Sequence, residues 1–147
     1  MSYSTSTESI ALVVARTVFG EARGSGVRGM IAVANVIENR AKHPIWWGMN
    51  VRGVCLAPDQ FSCWLPGPDR DAMLAADWLT PEFAAALAIG DALAYPQAGL
   101  PSIPSLVGNA THYYAASMPT PPSWAASMVF VREIGDQRFY AIPDAAV

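Results

Sequence analysis

At 147 residues, 52% of them hydrophobic and 14% charged, the chain is long and apolar enough to bury a core, and its composition excludes disorder. The formal net charge of −3, with nine Lys and Arg residues scattered along the chain, gives no electrostatic drive towards nucleic acid. No apolar run reaches bilayer-spanning length, so no stable membrane insertion is expected. One domain over residues 1–147 is the expectation for this length.

Met1 to Ser6 lack the basic and apolar regions of a secretory signal, which predicts a protein made in the cytoplasm. Thr5 and Glu8 have the spacing of a capping box and predict a first helix starting at residue 6 or 7. Ile10, Val13, Val14, Thr17 and Val18 fall on one face of that helix, and Glu21 continues the stripe one turn on. Desolvation on an apolar stripe and the helix dipole at its C-terminal end both favour the protonated acid, the form a general acid needs. The plainer reading is a solvated Glu chosen for its helix propensity. Gly20 beside it leaves room for another backbone or a ligand to come close.

Gly24 and Gly26 mark a break that Ser25 can cap. A second helix with Val27, Met30, Ile31, Ala34, Ile37 and Ala41 on one face should end by Lys42, ahead of Pro44. Arg40 near its end is suited either to helix-end carbonyls or to a ligand. Residues 43–79 read as short helical turns joined by loops, with Trp46 and Trp47 as packing residues. Cys55 and Cys63 fit either a small-loop disulfide or a pair of reduced buried thiols. They lie far from His43 and His112 in sequence and show no zinc spacing, so no metal and no cofactor is expected.

Thr80-Pro81-Glu82 is a helix start, and Phe83, Leu87, Ala88 and Leu93 should face inward before the helix ends ahead of Pro96. Three prolines and two glycines in residues 95–109 predict a long irregular loop, of a length that is often functional. Met128–Ile134 and Phe139–Ile142 around Gly135-Asp136 predict a β-hairpin, with Thr111–Tyr114 as a third strand. The fold class expected is therefore α+β, mainly helical, with a small antiparallel sheet.

Ala15–Gly24 (ARTVFGEARG) and Ala32–Arg40 (AVANVIENR) resemble the opening of the spore-cortex-lytic cell-wall hydrolases of the SleB/CwlJ type. Val54–Trp64 (VCLAPDQFSCW) resembles versions of that family carried by phages and prophages. Thr111–Tyr114, Pro122–Trp124 and Ile134–Tyr140 continue the resemblance in order, so that it spans residues 10–140. The family usually has His where this chain has Gln137, which puts efficiency in question if that His serves activity.

The resemblance implies a lytic-transglycosylase-like domain cutting the β-1,4 bond between N-acetylmuramic acid and N-acetylglucosamine, with Glu21 as catalytic acid. A transglycosylase needs no second carboxylate, and Asp59, Asp69, Asp71, Glu133 and Asp136 all sit in predicted loops or turns. Gln60, Phe61, Ser62 and Trp64 form a candidate sugar-binding segment, Phe61 and Trp64 being equally suited to the core. On a strand, His112 and Tyr114 share one side and Tyr113 takes the other, and one of these sides should line the cleft. The partner implied is the peptidoglycan glycan strand, bound by a monomer. The setting implied is a phage or prophage endolysin that waits in the cytoplasm until the membrane is opened. A hydrolytic muramidase and a non-catalytic peptidoglycan-binding module are the alternatives.

Overall fold

The computed structural model describes residues 8–58 and 60–143. Helix α1 (Ile10–Ala22) starts later than the capping box predicts: Ser9 Oγ is the cap, accepting the Leu12 N–H at 3.1 Å. Thr5 lies outside the described residues, and Glu8 instead pairs with Arg16 at 2.6 Å. A 3-10 turn at Arg23–Ser25 leads into α2 (Gly26–Ala41), with Gly26 in the left-handed region at φ +71°. Ser25 does not cap α2; its hydroxyl donates to Asp136 Oδ1 at 2.8 Å and ties this turn to the far hairpin.

Short helices follow as expected: α3 (Pro44–Trp47), α4 (Val51–Leu56), a 3-10 turn at Ser62–Trp64, and α5 (Pro68–Leu74). Helix α6 (Pro81–Ala94) begins where its sequence says, with Thr80 Oγ1 accepting the Phe83 N–H at 3.3 Å. It lies against α1 at unusually short range, because a Cβ on Gly90 would stand 2.2 Å from the Ala11 carbonyl oxygen. Phe83, Ala86, Ile89, Gly90 and Leu93 face inward, whereas Ala88, expected there, is exposed.

Helix α2 is the spine. Met30, Val33, Ala34 and Ile37 join the core built with α1, α4 and α6, while Ala32 and Val36 face Val107, Ala110, Ile134 and Phe139. The single stripe predicted for it is therefore too narrow, since both flanks of the helix are covered. Ile10 and Val27, each predicted on an inward face, sit near helix starts and are exposed.

Polar residues of α2 hold down the irregular segment 95–111. Asn35 donates to the Pro104 carbonyl and accepts the Leu106 N–H, and Asn39 donates to the carbonyls of Gly108 and Ala110. These bonds supply the backbone partners that a loop without ladder bonds lacks. The segment delivers the chain to an antiparallel sheet of order β1-β3-β2, made of β1 (His112–Ala115), β2 (Val129–Ile134) and β3 (Gln137–Ala141). Gly135 turns the β2–β3 hairpin at φ +59°, and β3 is held on both sides, Gln137 opposite Ala115 and Ile134.

Candidate active site

Glu21, in the last turn of α1, borders an open cleft of about 420 Å³ whose walls come from α1, α2, the 60–63 segment, α5 and the sheet. Its carboxylate is half-buried but not bare. Tyr113 Oη donates to Oε1 at 2.5 Å, the Cys63 backbone N–H donates to Oε2 at 3.0 Å, and Ser62 Oγ lies 3.5 Å from Oε2. The expected apolar stripe thus carries Glu21 to the cleft, and there donors from two other segments aim it.

Each donor is set by local structure. Gly20 admits the Cys63 side chain, because a Cβ there would lie 2.7 Å from Cys63 Cβ and 3.0 Å from Met73 Sδ. What comes close is a side chain, and it seats the 3-10 turn whose N–H reaches Glu21. Trp64 Nε1 donates to Thr17 Oγ1 at 2.8 Å and fixes the same turn from its other end. Tyr113 packs on Phe139 at 5.3 Å between ring centroids, and burial together with the Glu21 charge holds its hydroxyl well above the usual phenol range. It stays a proton-bearing donor through the neutral range.

Arg40 is buried, and it bonds a carbonyl that ends no helix: Nε donates to Thr111 O at 2.8 Å, at the start of β1. Its guanidinium lies over the rings of Phe61 at 5.1 Å and Trp47 at 5.7 Å and borders the cleft, with Gln60 Oε1 at 3.5 Å. Gln137, 7% exposed, donates from Nε2 to the Glu21 backbone carbonyl at 3.2 Å, while its buried Oε1 has no protein partner.

Of the residues singled out from sequence, Glu21, Gln60, Ser62, Tyr113 and Tyr114 line the cleft. Phe61 is core, 2% exposed, and Trp64 packs against the core through α1. His112 borders no part of the cleft: it sits among Trp47 and Trp124, with Nδ1 2.9 Å from Thr111 Oγ1. His112 and Tyr114 do share a side, both touching Trp124, yet Tyr113 and Tyr114 both reach the cleft. Strand alternation does not separate the two at this open cleft, which Ala115 borders as well.

A second acid also lines the cleft: Asp69, in the first turn of α5. The expectation that it sits in a loop or turn is corrected, because α5 begins at Pro68. Asp136 and Glu133 are engaged with Ser25 and Arg138, and Asp59 lies outside the described residues. Arg40 borders the cleft, in line with the ligand-contacting alternative offered for it, while Asp69, Met118 and Gln137 join the cleft without having been assigned to it from sequence, since only the fold brings them together.

Cys55 and Cys63 are free, buried thiols. Burial pushes Cys55 up to about 12, and burial with the neighbouring Glu21 charge pushes Cys63 higher still. Among the described residues no group of three His, Cys, Asp or Glu side chains is placed to hold a metal, and no helix is long and apolar enough to cross a membrane.

The frame that carries this cleft is the α+β frame of lytic catalytic domains. The chain is 26% identical to the catalytic domain of the germination-specific lytic transglycosylase SleB from Bacillus anthracis, at a TM-score of 0.61 over 95% of this chain and 99% of that one. It is 24% identical to the catalytic domain of the Bacillus cereus SleB protein, at 0.61 over 95% and 92%, a likeness of fold alone. A model of the cell wall hydrolase family matches residues 24–140, and the chain belongs to that family of enzymes. The matched span opens three residues after Glu21. No curated protein sequence matches the chain.

Proposed function

We propose that this enzyme is a peptidoglycan lytic transglycosylase that cuts the β-1,4 bond between N-acetylmuramic acid and N-acetylglucosamine. Glu21 serves as general acid and then as base. The observation that carries the reading is a carboxyl aimed into an open cleft by a tyrosine hydroxyl and a backbone N–H. Protonated Glu21 gives its proton to the leaving glycosidic oxygen as the bond to the muramic anomeric carbon breaks. The muramic 6-hydroxyl then attacks that carbon and returns a proton to Glu21, closing a 1,6-anhydro ring. Tyr113 and the Cys63 N–H stabilise the carboxylate between these steps, and Gln60, Ser62 and Tyr114 are placed to meet sugar hydroxyls. Family membership and the likeness to a lytic transglycosylase domain support the reaction class.

Asp69 supports a second reading, a hydrolytic muramidase in which this carboxylate holds the attacking water. Mass spectrometry of digested peptidoglycan, run in heavy-oxygen water, tests the two. We expect muropeptides ending in 1,6-anhydro-muramic acid with no label in the new glycan ends. Reducing muramic ends carrying the label would establish the muramidase.

The setting proposed is that of an endolysin, acting as a monomer once the membrane is opened. Cells expressing the protein should lyse only when a pore-forming protein is made with it, and lysis without the pore would overturn that setting.

A further inference from the structure

Thr17 is the polar member of the buried stripe of α1, fully enclosed and one turn before Glu21. Valine would fill the same space, so the hydroxyl calls for a reason of its own. It donates to the Val13 carbonyl at 2.8 Å, which commits its single proton and leaves its oxygen free to accept. Trp64 Nε1 donates to that oxygen at 2.8 Å, and the Thr17 main-chain carbonyl meets the Cys63 thiol at 3.9 Å. One residue of α1 thereby holds two successive residues of the Ser62–Trp64 turn. The N–H aimed at Glu21 Oε2, at 3.0 Å, belongs to that turn. Neither Thr17 nor Trp64 borders the cleft.

We infer that Thr17 and Trp64 are a positioning pair for Glu21: their bond sets where the Cys63 N–H points, and hence how firmly the acid holds its proton. The inference rests on the functional reading above, in which Glu21 gives up one proton and then regains one. An N–H aimed at a carboxylate favours its charged form, and that support weakens steeply as the bond bends or lengthens. A main-chain N–H moves only with its turn, so fixing the turn fixes the donor. The charged and titratable groups around Glu21 are Tyr113 from β1, Arg40 from α2, Asp69 from α5 and the Cys63 thiol. None of these belongs to the Thr17–Trp64 pair, and all are kept in the variants below.

Carbon NMR titration of the Glu21 carboxyl in the free protein, alongside kcat and KM on cell wall across pH, tests this. Thr17→Val keeps the shape and removes the acceptor. Trp64→Phe removes the donor and serves as an independent variant should the first fail to fold. Each should raise the Glu21 midpoint by about one pH unit, because the charged form loses support. The alkaline limb of activity should move up with it, since the acid stays protonated to higher pH. At the parent's optimum kcat should fall about tenfold while KM holds, because both side chains lie off the cleft. Thr17→Ser, which keeps the hydroxyl, should bring midpoint and kcat back towards the parent. The double variant should shift no further than either single one, the mark of one shared bond. Folded variants with an unmoved midpoint, whatever their melting temperature, or shifts that add in the double variant would overturn the inference. Such results leave the functional reading standing as long as Glu21→Gln abolishes clearing. Normal clearing by folded Glu21→Gln overturns both.

Discussion

At the scale of single residues, Glu21 depends on two donors of different kinds, a side-chain hydroxyl that can rotate and a main-chain N–H that cannot. Glu21→Gln keeps an oxygen for Cys63 N–H and turns its NH2 to Tyr113 Oη, which can accept instead. We therefore expect a melting temperature equal to or above that of the parent, with wall clearing reduced on the order of 10²–10⁴-fold, the scale of a lost general acid. A well-folded Glu21→Gln that clears wall normally would remove Glu21 from the mechanism. His112 makes a separate prediction about pH. Burial and then the Arg40 charge hold its imidazole below the ordinary histidine value of 6.5, so the unfolded chain takes up a proton first as pH falls. Its contribution to stability is complete above about pH 6.5 and is lost as pH drops from there towards the lowered folded value. Thermal unfolding between pH 7 and 5 should show a shallower loss in His112→Gln than in the parent, and parallel slopes would count against the assignment. Glu21 was legible because an acid on an apolar stripe is a local pattern. That Phe61 is core while its neighbours Gln60 and Ser62 line the cleft was not, since burial at adjacent positions is decided by what lies across from them.

Elements repeat this division between local and distant causes. Helix α6 could be read from Thr80-Pro81-Glu82, and the hairpin from its alternation around Gly135-Asp136, because caps and turns are written in consecutive residues. Gly90 gave no such signal: a mid-helix glycine looks like a flaw until α1 is set against it. Gly90→Ala should raise intrinsic helix propensity yet destabilise the protein by about 1–3 kcal/mol, because the new methyl meets Ala11 backbone rather than a movable side chain. Urea unfolding decides it, and a gain in stability would show that the two helices can part without cost. The same reasoning explains Asn35 and Asn39. On a helix wheel they look like solvated surface, and only the path of segment 95–111 makes them clamps.

For the whole molecule, α2 is the element that both core clusters share. A helix covered on both flanks opens only when the entire structure does, so its amides should exchange most slowly with deuterated water, later than those of α5 or of the exposed β2 edge. Exchange of Val33–Ile37 as fast as that of α5 would mean that the two clusters unfold independently. The mainly helical α+β plan was legible from periodicity and punctuation. The cleft as a whole was not, for its lining is drawn from Gly20 to Gln137, and no window of sequence contains that set.

The backbone N–H that Cys63 gives to Glu21 bears on how freely this protein can drift under mutation. Every amino acid except proline carries that donor, so the genetic code cannot easily remove it. The side chain at position 63 is constrained separately, by its close approach to Gly20 and by the bond its thiol gives to the Thr17 carbonyl at 3.9 Å. One of the acid's two supports is thus insulated from the amino acid that occupies its position, whereas the other, Tyr113, rests on a single hydroxyl that one substitution deletes.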